Sequence, residues 1–148
     1  MEFETFHHYF GWLVGLIDKT KMISDRSSLT CLPLGKHEGV VRAPKISGFF
    51  EPGMSPGLVF RDGSYLRFKE EIRIENGSYG LLSYAYHYER PDGYYFRYEK
   101  LKEPHADPVF EPQCHLHVWQ DAPRFPTHST CLAEVLGLIE TNFFRSRV

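Results

Sequence analysis

Six side chains in the middle of the chain have the chemistry to act together on a phosphodiester: Glu70, His87, Arg97, Glu99, His115 and His117. They stand in four short segments, LRFKE, SYAYHYE, FRYE and CHLHVW, which are thick with aromatic residues. Cleaving RNA without a metal needs a base for the 2′-hydroxyl proton, an acid for the leaving oxygen and a cation for the charge developing on phosphorus. Glu70 or His87 can serve as base, His115 or His117 as acid and Arg97 as cation. Arg42, Lys45, Arg67, Lys69 and Arg97 could line a basic patch for a phosphate backbone, and interleaved tyrosines, Tyr86 and Tyr98 among them, could stack bases. The competing reading is a solvated strand face, its Arg and Glu side chains forming a solvated ion pair across the hairpin.

The same residues raise the question of a metal. His115 and His117 point the same way on a strand, which is a recurrent ligand pair. A complete site needs further ligands, and only Cys114, Asp121 and His128 lie near in sequence. Neither C-x-x-C nor H-E-x-x-H occurs. The expectation is no metal and no cofactor. His7, His8 and His37 lie outside this stretch and are assigned to the surface or to packing.

Turn chemistry says how the segments are held. Asp62-Gly63-Ser64, Asn76-Gly77 and Pro91-Asp92-Gly93 separate Leu58–Arg61, Tyr65–Ile74, Leu81–Glu89 and Tyr94–Glu99, which makes an antiparallel meander. The third turn sets Arg90 opposite Tyr94, so His87 falls opposite Arg97 and Ala85 opposite Glu99. Alternation then gives Ser83, Ala85, His87, Tyr95, Arg97 and Glu99 one face and the aromatic residues, as candidate core, the other. Glu70 falls among apolar neighbours, either paired with a tyrosine hydroxyl or buried Arg or acting as a base with a raised pKa. Glu71 is the spare carboxylate on the polar face, and a bulge between the two would bring Glu70 round.

Around this meander, Phe3, Phe6, Phe10, Leu13, Val14 and Ile17 predict a helix over Phe3–Thr20, or a short helix and a strand if Gly11 and Gly15 break it. Lys21–Lys36 reads as irregular. Val40–Ile46 reads as a strand that Pro44 confines to an edge. Ser47–Gly57 is a Gly/Pro-rich loop and a candidate insertion. His115–Trp119 is the expected last strand. Leu132, Val135, Leu136, Ile139 and Phe143 predict a helix over Thr130–Phe144, capped by Thr127 or Ser129. The expected fold is α+β: an antiparallel meander sheet with N- and C-terminal helices packed on one face, in a single domain over 1–148.

Composition sets the bounds. The net charge is -2, so no overall field draws the protein to nucleic acid or membrane, and an anion site must come from local clustering. Aromatic residues make up 16%, which favours strands. Cys31, Cys114 and Cys131 have no disulfide-like spacing and suggest reduced thiols in the cytoplasm. No secretory signal is expected at the N-terminus, and no apolar run approaches the ~20 residues that span a bilayer.

The order of motifs resembles the TumE-like toxin family: DGSYLRFKE, SYAYHYE, an Asp-Gly turn and FRYE, PH, HLH, then the helix LAEVLGLIETNF. The likeness covers about Val59 to Phe143. It implies a cytoplasmic toxin of a toxin–antitoxin pair, whose cognate antitoxin is often a helix-turn-helix protein. It also implies that Glu70, Tyr86, His87, Arg97, His115 and His117 occupy motif positions, which supports Glu70 over Glu71. Two departures stand out: Glu99 where the family usually has Asp, and LKEPH, ending at His105, in place of an Asn-Ala-Pro-His-like run. The resulting expectation is a metal-independent ribonuclease with Glu70 as base, Arg97 as phosphate clamp, His115 or His117 as acid and His87 sharing or orienting. Tyr86, Arg67, Tyr98 and Glu99 would contact RNA. The alternatives are a non-catalytic module binding antitoxin or nucleic acid, and a metal-dependent phosphodiesterase built on His115, His117 and Cys114.

Overall fold

The computed structural model describes residues 2–44 and 57–145. Lys45 and all but the last residue of the proposed insertion at 47–57 lie outside these residues. Helix α1 (Phe6–Lys19) is capped by Thr5, whose Oγ1 accepts from the His8 amide at 3.1 Å. It buries Phe6, Tyr9, Leu13 and Ile17 on one stripe. Each such burial is worth about 1.5–3 kcal/mol, whereas a helical glycine costs about 1 kcal/mol, so Gly11 and Gly15 do not break the helix.

The strands are β1 (Ile23–Asp25), β2 (Thr30–Pro33), β3 (Glu38–Ala43), β4 (Leu58–Phe60), β5 (Tyr65–Glu75), β6 (Ser78–Glu89), β7 (Tyr95–Lys100), β8 (Cys114–Val118) and β9 (Gln120–Pro126). They form one antiparallel sheet in the order β1-β4-β5-β6-β7-β8-β9, with β3 pairing both β2 and β5. The long β5 thus carries β4 at its start and β3 further on. Three expectations are corrected. The stretch read as irregular holds β1 and β2. The strand before Pro44 is internal, because it ends at Ala43 and the proline never enters the ladder. The strand at His115 is followed by β9.

The hairpins carry the register. Asn76 and Gly77, at φ 51° and 78°, join β5 to β6 in a two-residue loop between Glu75 and Ser78. Gly93, at φ 90°, completes the next turn, where the Arg90 amide donates to the Tyr94 carbonyl at 2.8 Å. His87 therefore pairs with Arg97 and Ala85 with Glu99, as the turn chemistry required.

One bulge interrupts β5–β6: Glu71 pairs with Ser83 but Ile72 with Leu81, which leaves Leu82 as the extra residue on β6. It restores the inward phase of β6, so that Tyr79 and Leu81 before it and Tyr84, Tyr86 and Tyr88 after it point toward the core. Glu70 stays in regular alternation opposite Tyr84.

Helix α2 (Leu132–Ile139) winds on through a π-helical stretch, Glu140–Phe144. Its cap position is Cys131, not Thr127 or Ser129, and makes no side-chain cap bond. The buried residues of α1 and α2 belong to the same core cluster as Tyr84, Tyr86, Tyr88 and Phe96. Tyr9 of α1 reaches Glu70, the Thr130 amide donates to Tyr84 Oη at 3.0 Å, and Phe143 packs on Tyr88.

Candidate functional site

The sheet sorts the candidate residues into two groups. Glu70, Tyr86 and Tyr98 lie on the aromatic face. Arg67, His87, Arg97, Glu99, His115 and His117 lie on the polar face.

On the aromatic face Glu70 is fully buried. Tyr86 Oη donates to Oε1 at 2.6 Å and Tyr9 Oη to Oε2 at 2.8 Å. Burial pushes the Glu70 carboxyl up to about 6, against the pull of the two hydroxyls. Both tyrosines are pushed above their ordinary value, by burial first and then by the carboxylate. The cluster is closed and self-satisfied, with the sheet between it and Arg97. The bulge that would have turned Glu70 toward Arg97 lies on the neighbouring strand. Tyr98 packs against Phe96 and helps line a cavity of about 420 Å³ with Leu116, Trp119, Leu138 and Phe143.

On the polar face, cross-strand pairing lines up residues from four strands: Arg67, His87, Arg97 and His117. The adjacent row runs Arg42, Lys69, Ala85, Glu99 and His115. Pairs in register sit about 4.5–5.5 Å apart at Cβ, so these side chains are direct neighbours. His87, only 7% exposed, stacks on Tyr95 at 4.9 Å and lies 3.6 Å from Glu89. Burial, and then the nearby Arg97 charge, lowers the Arg67 pKa. Lys102 and Ser83 engage Glu71, the spare carboxylate of this face.

Glu99 joins the two rows. Its Oε1 lies 2.7 Å from Arg97 Nε, and its Oε2 lies 3.1 Å from His115 Nε2 and 3.5 Å from His117 Nε2. Both imidazoles are buried. Their Nδ1 atoms bond the main-chain carbonyls of Pro112 at 2.6 Å and Asp121 at 2.8 Å. A carbonyl only accepts, so each Nδ1 carries the proton and each Nε2 faces Glu99. Arg97 also donates to Asp121 Oδ1 at 2.9 Å. Cys114, one residue from His115, alternates to the other face and interacts with the Tyr84 hydroxyl, so it is not part of this group.

Sequence reasoning missed Asp121 and Pro112 as the groups that orient the histidines. The only signal for Asp121 was its place just beyond the HLHV strand; Pro112 had none.

A family model described as Toxin TumE matches residues 17–143. The chain belongs to the TumE toxin family. The match begins well before the motifs at Val59 and takes in β1, β2 and β3. A family of toxins implies a cognate antitoxin as partner. No curated protein and no solved structure matches the chain. No helix among the described residues is long and apolar enough to cross a membrane.

Proposed function

We propose that this TumE-family toxin is a ribonuclease that works on the polar face of its sheet. The observation that carries the reading is the alignment of Arg67, His87, Arg97 and His117 across four neighbouring strands, with Glu99 bridging to His115. Arg67 and Arg97 flank His87 and can grip one phosphate from two sides, with Arg42 and Lys69 beside them for the next. Holding guanidinium groups on a rigid sheet places positive charge where the phosphorane develops it, without reorganisation during the step. His87, between the two arginines, is the group positioned to take the 2′-hydroxyl proton. The Glu99–His115–His117 cluster faces the leaving oxygen.

This reading moves the base from Glu70 to His87, because a carboxylate enclosed by two tyrosine hydroxyls on the other face has no route to RNA. Tyr86 and Tyr98 leave the RNA-contacting set for the same reason, and Tyr95, stacked on His87, is the aromatic residue at hand. Growth arrest on expression, accompanied by fragmentation of cellular RNA, is the expected result. Arg97→Ala and His87→Ala should abolish both, and co-expressed antitoxin should relieve both. Growth arrest with intact RNA would favour the non-catalytic binding module instead.

A further inference from the structure

We propose that Glu99, His115 and His117 form a binding site for a divalent transition-metal ion, zinc being the type case. Three ligand atoms converge: one each from Glu99, His115 and His117 lie within 4.8 Å of one another, and Glu99 Oε2 faces the Nε2 of both histidines. Zinc bonds of about 2.0–2.2 Å in a tetrahedron place ligand atoms about 3.4 Å apart. The two carboxylate-to-imidazole separations, 3.1 and 3.5 Å, straddle that value.

The orientation of the rings points the same way. With each Nδ1–H donated to a carbonyl, each ring is held with its Nε2 turned toward the same carboxylate oxygen, Glu99 Oε2. A cation at this point would take one lone pair from each of the three atoms, in place of the direct His115–Glu99 contact. His117 Nε2, in a residue only 2% exposed, makes no hydrogen bond.

The surroundings resemble those of a metal site. Outer carbonyls fix both imidazoles, and Arg97 pairs with Glu99 Oε1 while Oε2 is turned to the two imidazoles. Two imidazoles and a carboxylate suit zinc, manganese or iron better than magnesium or calcium, which prefer all-oxygen shells. Three protein ligands leave a position open for water or a phosphate oxygen. Glu99, whose side chain is 27% exposed, provides the way in. The third ligand could not be found by looking along the strand of His115, because it comes from the neighbouring strand.

Ion binding stands independently of RNA cleavage, while any part the ion plays in cleavage rests on the ribonuclease reading. There it would take the place of the expected metal-free acid. The test uses full-length, untagged protein stripped with chelator and dialysed, titrated with zinc by calorimetry and with cobalt by visible absorption. One zinc per chain and the d–d bands of a bound cobalt ion are expected. His117→Ala and Glu99→Gln, each checked for native circular dichroism, should weaken zinc binding about 100-fold or more and erase the bands. Wild-type protein that takes up no zinc, or a folded Glu99→Gln that binds it as tightly as wild type, overturns the proposal. Zinc bound while RNA stays intact would leave the site standing and remove the ribonuclease. RNA cleaved by protein that binds no zinc would do the reverse.

Discussion

Glu70 shows what burial does to a single side chain in this fold. Its carboxyl is pushed up to about 6 from an ordinary 4.5, so between those values the native state holds more protons than the unfolded chain. Stability therefore falls as pH rises from 4.5 to 6 and is level above. That shift is worth about 2 kcal/mol at 1.36 kcal/mol per unit. Glu70→Gln has no such slope, so its stability relative to wild type should improve by about 2 kcal/mol over this range in urea unfolding; a relative stability that stays flat or declines from pH 4.5 to 6 would contradict the burial argument. Because Glu70 lies on the aromatic face, the same variant should keep its RNA-cleaving rate within a few-fold. Removing the carboxyl outright, Glu70→Ala, should cost about 2–4 kcal/mol, since it leaves a cavity and strips two buried hydroxyls of their acceptor.

At the scale of elements, the approach of α1 to the sheet depends on Gly39 in β3. A Cβ there would lie 2.4 Å from the Phe6 ring, which is fully buried and cannot swing away. Gly39→Ala should cost about 1–3 kcal/mol by overpacking, read as an earlier denaturation midpoint. Gly77→Ala, in the β5–β6 turn at φ 78°, should cost about 1 kcal/mol for its left-handed backbone alone. These hairpins were legible in the sequence because Asn-Gly and Asp-Gly fix turn type and hence register, which is why the His87–Arg97 pair could be counted out from a turn. β1 and β2 were not legible, since strands of three or four residues show too little alternation. β9 holds Pro123 and Pro126, which read as loop. The bulge at Leu82 left no mark of its own, and because it lies on β6 it leaves Glu70 in the regular alternation of β5. Motif order reports which residues a family keeps in line, not which side of a sheet they occupy.

Across the whole molecule, the sheet divides the work. One face carries aromatic side chains that share a core cluster with the buried residues of α1 and α2, and the other gathers cations, imidazoles and a bridging carboxylate. The convergence of His115 and His117 on Glu99 was out of reach of the sequence, because it depends on β7 and β8 pairing across the long connection Leu101–Gln113. Separation of the faces predicts separable losses: variants of the polar face should lose RNA cleavage and still bind antitoxin with native stability. The most direct measurement is cleavage of an end-labelled RNA by purified wild type and Arg97→Ala, matched by circular dichroism. The expected result is defined fragments from wild type and a rate at least about 100-fold lower from Arg97→Ala, the scale for losing one preorganised charge. Intact RNA with wild type, or equal cleavage by the two proteins, would contradict a ribonuclease on the polar face.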